Sequence, residues 1–196
     1  TYFSDYWAQL AETVGPNLVG IGRTQVSGVV VEAGLAVTTL EAAEILEAER
    51  ARGVLAQEAG TLAEALVSEE RVSYPFVRLV DREFGLAVVE IEPTHEPFTV
   101  ANVSQMPSGS YVGVVFLEND GRPVIAPGYL VSSQVGSELD PNENDLQTSL
   151  LPSDRGVSAV VDLDGALVGV MYRSPHGPRS LTLASLRRVI ELMAED

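Results

Sequence analysis

The chain has 196 residues, of which 45% are hydrophobic, and its 28 acidic against 12 basic side chains give a formal net charge of −16. This supplies a globular core and excludes a disordered chain, and no run approaches the ~20 apolar residues of a membrane span. Cys is absent and the only histidines are His95 and His176, which excludes disulfides, thiolate nucleophiles and Cys-ligated metals, while an acidic surface whose only cations are Arg argues against nucleic acid and anionic membranes.

In chain order, the first predicted element is a helix over Tyr2–Val14. Phe3, Trp7, Leu10 and Val14 recur at helical spacing, Ser4 or Asp5 is placed to cap it, and Gly15-Pro16 stops it. Runs rich in Val, Ile, Leu and aromatics then predict strands over Leu18–Gly22, Gly28–Glu32, Leu35–Thr39, Phe76–Val80, Leu86–Ile91, Phe98–Val103, Tyr111–Leu117, Val124–Ser132, Val157–Leu163 and Leu167–Tyr172. Leu40–Arg52 and Thr61–Ser68 are rich in Ala, Glu and Leu and read as helix inserted between strands. Leu183, Leu186, Val189, Ile190 and Met193 predict a C-terminal helix. Residues 92–97 read as a linker between a first lobe of about 1–92 and a second of about 98–196. The class expected is all-β, two packed antiparallel barrels of six strands each with these helices attached.

The order of motifs resembles the trypsin-like serine proteases, and within them the HtrA-type protease domain without a PDZ extension. The residues that carry the resemblance are Val26-Ser-Gly-Val-Val-Val31, Leu35-Ala-Val-Thr-Thr39, Phe84-Gly-Leu-Ala-Val-Val-Glu-Ile91, Gln147-Thr148, the stretch from Asp154 to Val161, and Asp164-Gly-Ala-Leu-Val-Gly-Val170. The resemblance implies a catalytic triad at the ends of three of these motifs, and none of the required residues is there. Glu41 stands where His is expected and Gly85 where Asp is expected. The nucleophile position falls on Gly156 when counted back from Asp164-Gly165, or on Arg155 when counted forward from Pro152. Val157 and Ser158 replace the glycines that follow the nucleophile.

Acyl transfer by this route needs an oxygen nucleophile bonded to a base that titrates near the working pH. Gly or Arg supplies no oxygen, and a carboxylate with an ordinary pKa of about 4.3 is a weak base. The sequence therefore reads as a pseudoprotease: a non-catalytic protein-binding or structural subunit. Its cleft would hold a protein or an extended peptide along Arg155, Val157 and Ser158, with a basic partner and membership of a membrane-associated assembly kept open. An extracytoplasmic setting, with an anchoring segment ahead of Thr1, is the expectation from the family. The alternative is an active hydrolase with Ser158 as a non-standard nucleophile. Restoring the triad by Glu41→His, Gly85→Asp and Gly156→Ser is expected to leave a folded, almost inactive protein, because the oxyanion turn is also altered.

The remaining motifs read as structure. Asp162-Leu-Asp-Gly165 is an Asp-Gly hairpin turn. Asp140–Asp145 begins like a calcium loop but has Asp145 where the tight-turn Gly belongs, so no metal or other cofactor is expected. Glu41 with Asp81 or Glu90 reads as solvated surface charge, His95 and His176 as exposed loop residues, and Trp7 as the anchor of the first helix. Gly20, Gly22 and Gly28 open no helix and form no dinucleotide fingerprint.

Overall fold

The computed structural model describes residues 2–22, 25–58, 76–134, 140 and 143–195. Helix α1 (Tyr2–Val14) passes at Gly15-Pro16 into one 3-10 turn, Gly15–Asn17, which delivers the chain to the first sheet. That sheet is antiparallel, built from β1 (Leu18–Ile21), β2 (Val26–Glu32), β3 (Leu35–Thr39), β4 (Phe76–Asp81) and β5 (Leu86–Glu90) in the order β1-β2-β3-β5-β4. Helix α2 (Leu40–Glu58) starts directly on β3, its first turn capped by Thr39 Oγ1, which accepts the Ala42 N–H at 3.3 Å. The helix read over Thr61–Ser68 lies outside the described residues.

The second sheet contains β6 (Tyr111–Leu117), β7 (Pro123–Ser133), β8 (Leu146–Thr148), β9 (Ser158–Val161), β10 (Leu167–Ser174) and β11 (Gly177–Thr182), ordered β11-β10-β9-β6-β7-β8. Helix α3 (Leu183–Glu195) follows β11. Among the described residues the sheets therefore hold five and six strands, not six and six. Phe98–Val103 is not a strand. Its backbone bonds the sheet where Thr99 O accepts the Leu167 N–H and Ala101 N–H bonds Leu167 O, Phe98, Ala101 and Val103 pack into the cores, and the chain then turns through a 3-10 helix at Val103–Gln105. The Asp-Gly turn joins β9 to β10 as its sequence requires, with Asp162 Oδ1 accepting the Asp164 and Ala166 N–H groups and Gly165 at φ +82°.

Central strands bury both faces, each face feeding a different core. Val115 and Leu117 of β6 join Ala159, Val161, Val29, Val37, Leu86 and Val88 in a cluster shared by the two sheets and by α1 and α3. Val112 and Val114 of the same strand point the other way, into the second lobe with Leu130, Leu146, Val160 and Met171. The inside of the first lobe is filled by Ile21, Val30, Ala36, Val89 and Leu46 of α2. Two-sided burial is why these strands read as unbroken apolar runs rather than alternating ones.

The ends of the second sheet, β8 and β11, are tied by side chains in place of ladder bonds. Asn144 Oδ1 accepts the Ser180 N–H at 2.8 Å and Asp145 Oδ1 the Thr182 N–H at 2.9 Å. Asp145 Oδ2 also accepts the hydroxyls of Thr182 at 2.6 Å and Ser185 at 2.5 Å, and Thr182 Oγ1 takes the Ser185 N–H at the start of α3. The buried Arg179 guanidinium donates to the carbonyls of Asp140 and Glu143 and holds the approach to β8 against β11.

Candidate functional site

Three segments meet where the two sheets face each other: the start of α2, the 152–157 loop ahead of β9, and the end of β10. A cavity of about 130 Å³ opens between them, lined by Val26 and Thr39 of the first sheet, Glu41 and Ile45 of α2, Ser153, Asp154 and Gly156 of the loop, and Arg173 of β10. Glu41 sits exposed in the first turn of α2. Asp154 pairs with Arg173 across the rim, both largely exposed.

The loop is clipped to β2. The Val157 N–H donates to Ser27 O at 3.0 Å and the Ser27 N–H to Arg155 O at 3.3 Å, so Gly156 is held flat against the Ser27 backbone. Gly156 has φ +78°, and a Cβ there would lie 2.2 Å from Ser27 O and 3.0 Å from Ser27 N. No side chain fits, because rigid backbone lies on the side where it would project. Of the two positions left open by the spacing, only Arg155 is one where the loop can carry a side chain. Its own N–H is occupied, donating to Ser153 Oγ at 3.2 Å.

Gly85 lies behind the cavity rather than in its lining. Its carbonyl accepts the Leu40 N–H at 2.9 Å, next to Glu41, while a Cβ on it would meet Pro175 Cδ at 2.6 Å in the turn after Arg173. It too has positive φ, +71°. Of the changes Glu41→His, Gly85→Asp and Gly156→Ser, two put a side chain where backbone or proline already sits, so the triple variant would carry strain at Gly85 and Gly156. Val157 and Ser158, expected along the cleft, are both 0% exposed. Val157 packs into the central core, and Ser158 Oγ is buried with no hydrogen-bond partner, so no substrate reaches it.

A second cavity of about 330 Å³ opens beyond the loop, lined by Gln147, Leu150, Leu151, Pro152, Met171 and Pro178, with Leu151 76% exposed at its mouth. Its lining is mixed, with Asn144, Gln147, Thr148 and Ser180 beside the apolar side chains.

The architecture now has a match. Superposed on solved structures, the chain aligns over 100% of its length, and 97% of the other, with Deg5 at a TM-score of 0.64 and 16% identity. It aligns over 95% of its length, and 90% of the other, with the inactive form of a serine-to-alanine mutant of Rv3671c from M. tuberculosis, at a TM-score of 0.57 and 14% identity. The fold is trypsin-like. No family model matches the sequence, and no curated protein sequence matches it either, so it is the course of the backbone that carries the likeness.

Within the trypsin-like fold, Glu41 and Gly156 line the same cavity, Arg155 precedes Gly156 in the loop without being part of that lining, and Gly85 lies behind it. Ser153 and Arg173 were not read from the sequence. Ser153 shows a local signal in hindsight, a hydroxyl two residues before an N–H it can cap, whereas the Arg173–Asp154 pair joins separate elements and has none. His176 is exposed in the turn that Ser174 Oγ closes, and His95 is half-buried in the linker. The calcium-loop reading falls partly outside the described residues, and Asp145 spends its carboxylate on Thr182 and Ser185 inside the fold. Among the described residues no His, Cys, Asp or Glu cluster is arranged for a metal.

Proposed function

We propose that this chain is a catalytically silent trypsin-like fold that holds an extended segment of another protein in the cleft between its two sheets. The observation that carries the reading is the 153–157 loop. Its glycine excludes a side chain at 156, the adjacent position bears an arginine, and a hydroxyl from within the loop already takes the arginine's N–H. Acyl transfer needs an activated oxygen and free inward N–H donors at that place. Loss of the nucleophile alone costs on the order of 10⁶ in turnover. Binding survives such losses, because an extended chain is held by main-chain pairing and side-chain pockets that do not involve the triad. The open cavity at Glu41 and the cavity at Leu151 are the two places such a chain would fill. The acidic chain favours a basic segment. A setting outside the cytoplasm belongs to the same proposal and rests on the HtrA-type resemblance.

The test has a chemical arm and a binding arm. A fluorophosphonate probe should leave the protein unlabelled, and labelling abolished by a single Ser→Ala change would overturn the silent site. On an array of extended peptides, binding should favour Arg- or Lys-bearing sequences and be lost in Ile45→Trp, which fills the smaller cavity. Binding equal in the two proteins would remove the cleft as the site.

A further inference from the structure

The cavity at the start of α2 has a lining of two kinds. Val26, Ala42 and Ile45 supply apolar surface, and Ile45 remains 40% exposed, so this surface continues to the outside. The charged members are Glu41 of α2, Asp154 of the loop and Arg173 of β10. Asp154 and Arg173 pair with each other. Glu41, unlike Glu118 with its Arg122, has no ion-pair partner among the described residues, so the lining keeps one uncompensated carboxylate. That carboxylate is held in place. The Leu40 N–H is bonded to Gly85 O and the Thr39 cap fixes the first turn of α2, where the helix N-terminus favours a negative charge.

Size and chemistry narrow the occupant. At about 130 Å³ the space is below the roughly 300 Å³ at which small-molecule pockets begin, and it suits one long side chain. An apolar lining with one spare carboxylate calls for an apolar stem and a cationic head, which Arg and Lys combine. A metal ion is the poorer fit. Among the described residues no three of His, Cys, Asp or Glu gather for one, and the Arg173 guanidinium already lies on Asp154. The acceptors choose between the two cations. Glu41 and Asp154 come from separate elements, and a guanidinium spreads five N–H donors over a plane that can serve acceptors on two walls. An ammonium is a compact point charge that holds its water more strongly.

We infer that this cavity takes the side chain of one arginine of a bound partner, its stem against Val26 and Ile45 and its guanidinium on Glu41. The inference rests on the cleft reading above for the source of that arginine, and it fixes where along the bound segment the cation must fall.

The experiment titrates N-acetyl-arginine N-methylamide into the protein and reads the methyl signals of Val26 and Ile45 by NMR. The citrulline counterpart, of the same shape but uncharged, and the lysine counterpart are the comparisons. The arginine probe should give saturable shifts at both residues, the citrulline probe none, and the lysine probe should bind several-fold more weakly. Glu41→Gln should weaken the arginine probe about tenfold, the effect of one hydrogen bond to a charged group. Glu44→Gln removes the same charge from an exposed position of α2 outside the lining, and should change binding by less than about threefold. Equal losses in the two variants would assign the effect to the field of the whole acidic chain and overturn the pocket. So would no shift, or binding of the citrulline or lysine probe as tight as that of arginine. The peptide array decides the cleft separately. Peptides bound there without an arginine-dependent shift at the cavity would remove the pocket and leave the cleft. Shifts from the arginine probe with no peptide bound would leave the pocket and remove the extended segment.

Discussion

At Gly156 one dihedral angle and one neighbour determine what the loop can become. Gly156→Ser would pay for a left-handed conformation, about 1–2 kcal/mol, and must also displace the Ser27 backbone. A loss of about 3 kcal/mol is expected, lowering Tm by about 6–12 °C for a chain of this size. Arg155→Ser should stay within about 1 kcal/mol of wild type, since the side chain is only half-buried. Calorimetry on the pair checks both, and a Gly156→Ser protein as stable as wild type would show that the clip to β2 yields. Tyr172 offers a second test at this scale. Its phenol is fully buried with no hydrogen-bond partner, and burial pushes its pKa well above the ordinary 10, with the nearby Arg179 only partly offsetting the effect. Above about pH 10 the unfolded chain therefore releases this proton while the folded one keeps it, so stability falls with rising pH at up to about 1.4 kcal/mol per unit. Tyr172→Phe should flatten that slope and cost little near neutrality, where it removes an unpaired hydroxyl. Urea titrations at pH 8 and above 10 decide it.

Helices and strands differed in how plainly they could be read. α1 and α3 follow from apolar spacing, and β2, β3, β5, β6 and β10 from runs of Val and Leu that fill a core on each side. β8 and β11 could not be read this way. One has three residues, and the other contains Pro178, Arg179 and Ser180 in place of apolar residues. Both are paired along backbone ladders, β8 with β7 and β11 with β10, and are joined to each other by hydrogen bonds from Asn144, Asp145 and Arg179, and side-chain bonds between distant segments leave no periodic trace. The candidate site divides along the same line. Glu41 and the Arg155–Gly156 pair could be placed by their distance from strong strands, whereas the choice between 155 and 156 needed the Ser27 backbone in view. The seam itself is testable. Asp145→Ala strands three donors in a buried place and should cost about 2–5 kcal/mol. Asp145→Asn, which keeps one acceptor oxygen, should lose roughly half as much. Equal denaturant midpoints for Asp145→Ala and wild type would mean that the barrel does not depend on this closure.

The molecule as a whole carries its charge as a mechanical load. With a net −16 and few cations to offset it, folding draws like charges together, and dilute salt leaves that repulsion unscreened. Tm is expected to rise by several degrees between about 10 mM and 200 mM NaCl, and a fall would mean that surface pairs such as Arg122–Glu118 outweigh the repulsion.

Trp7 carries a different consequence. It is the chain's single tryptophan, 3% exposed, its indole nitrogen unpartnered, packed in the same cluster as Val161 of β9 and Leu186 of α3. Its ring rests where Gly113 leaves room, since a Cβ there would come within 2.8 Å of it. The protein thus contains one tryptophan fluorophore, which can be excited selectively over its six tyrosines, buried at the joint between α1 and the rest of the fold. Its emission should be blue-shifted and should move to the red at the same temperature at which the far-ultraviolet ellipticity collapses, because α1 shares its core with both sheets. An earlier spectral shift would mean that α1 detaches as a separate unit before the sheets give way.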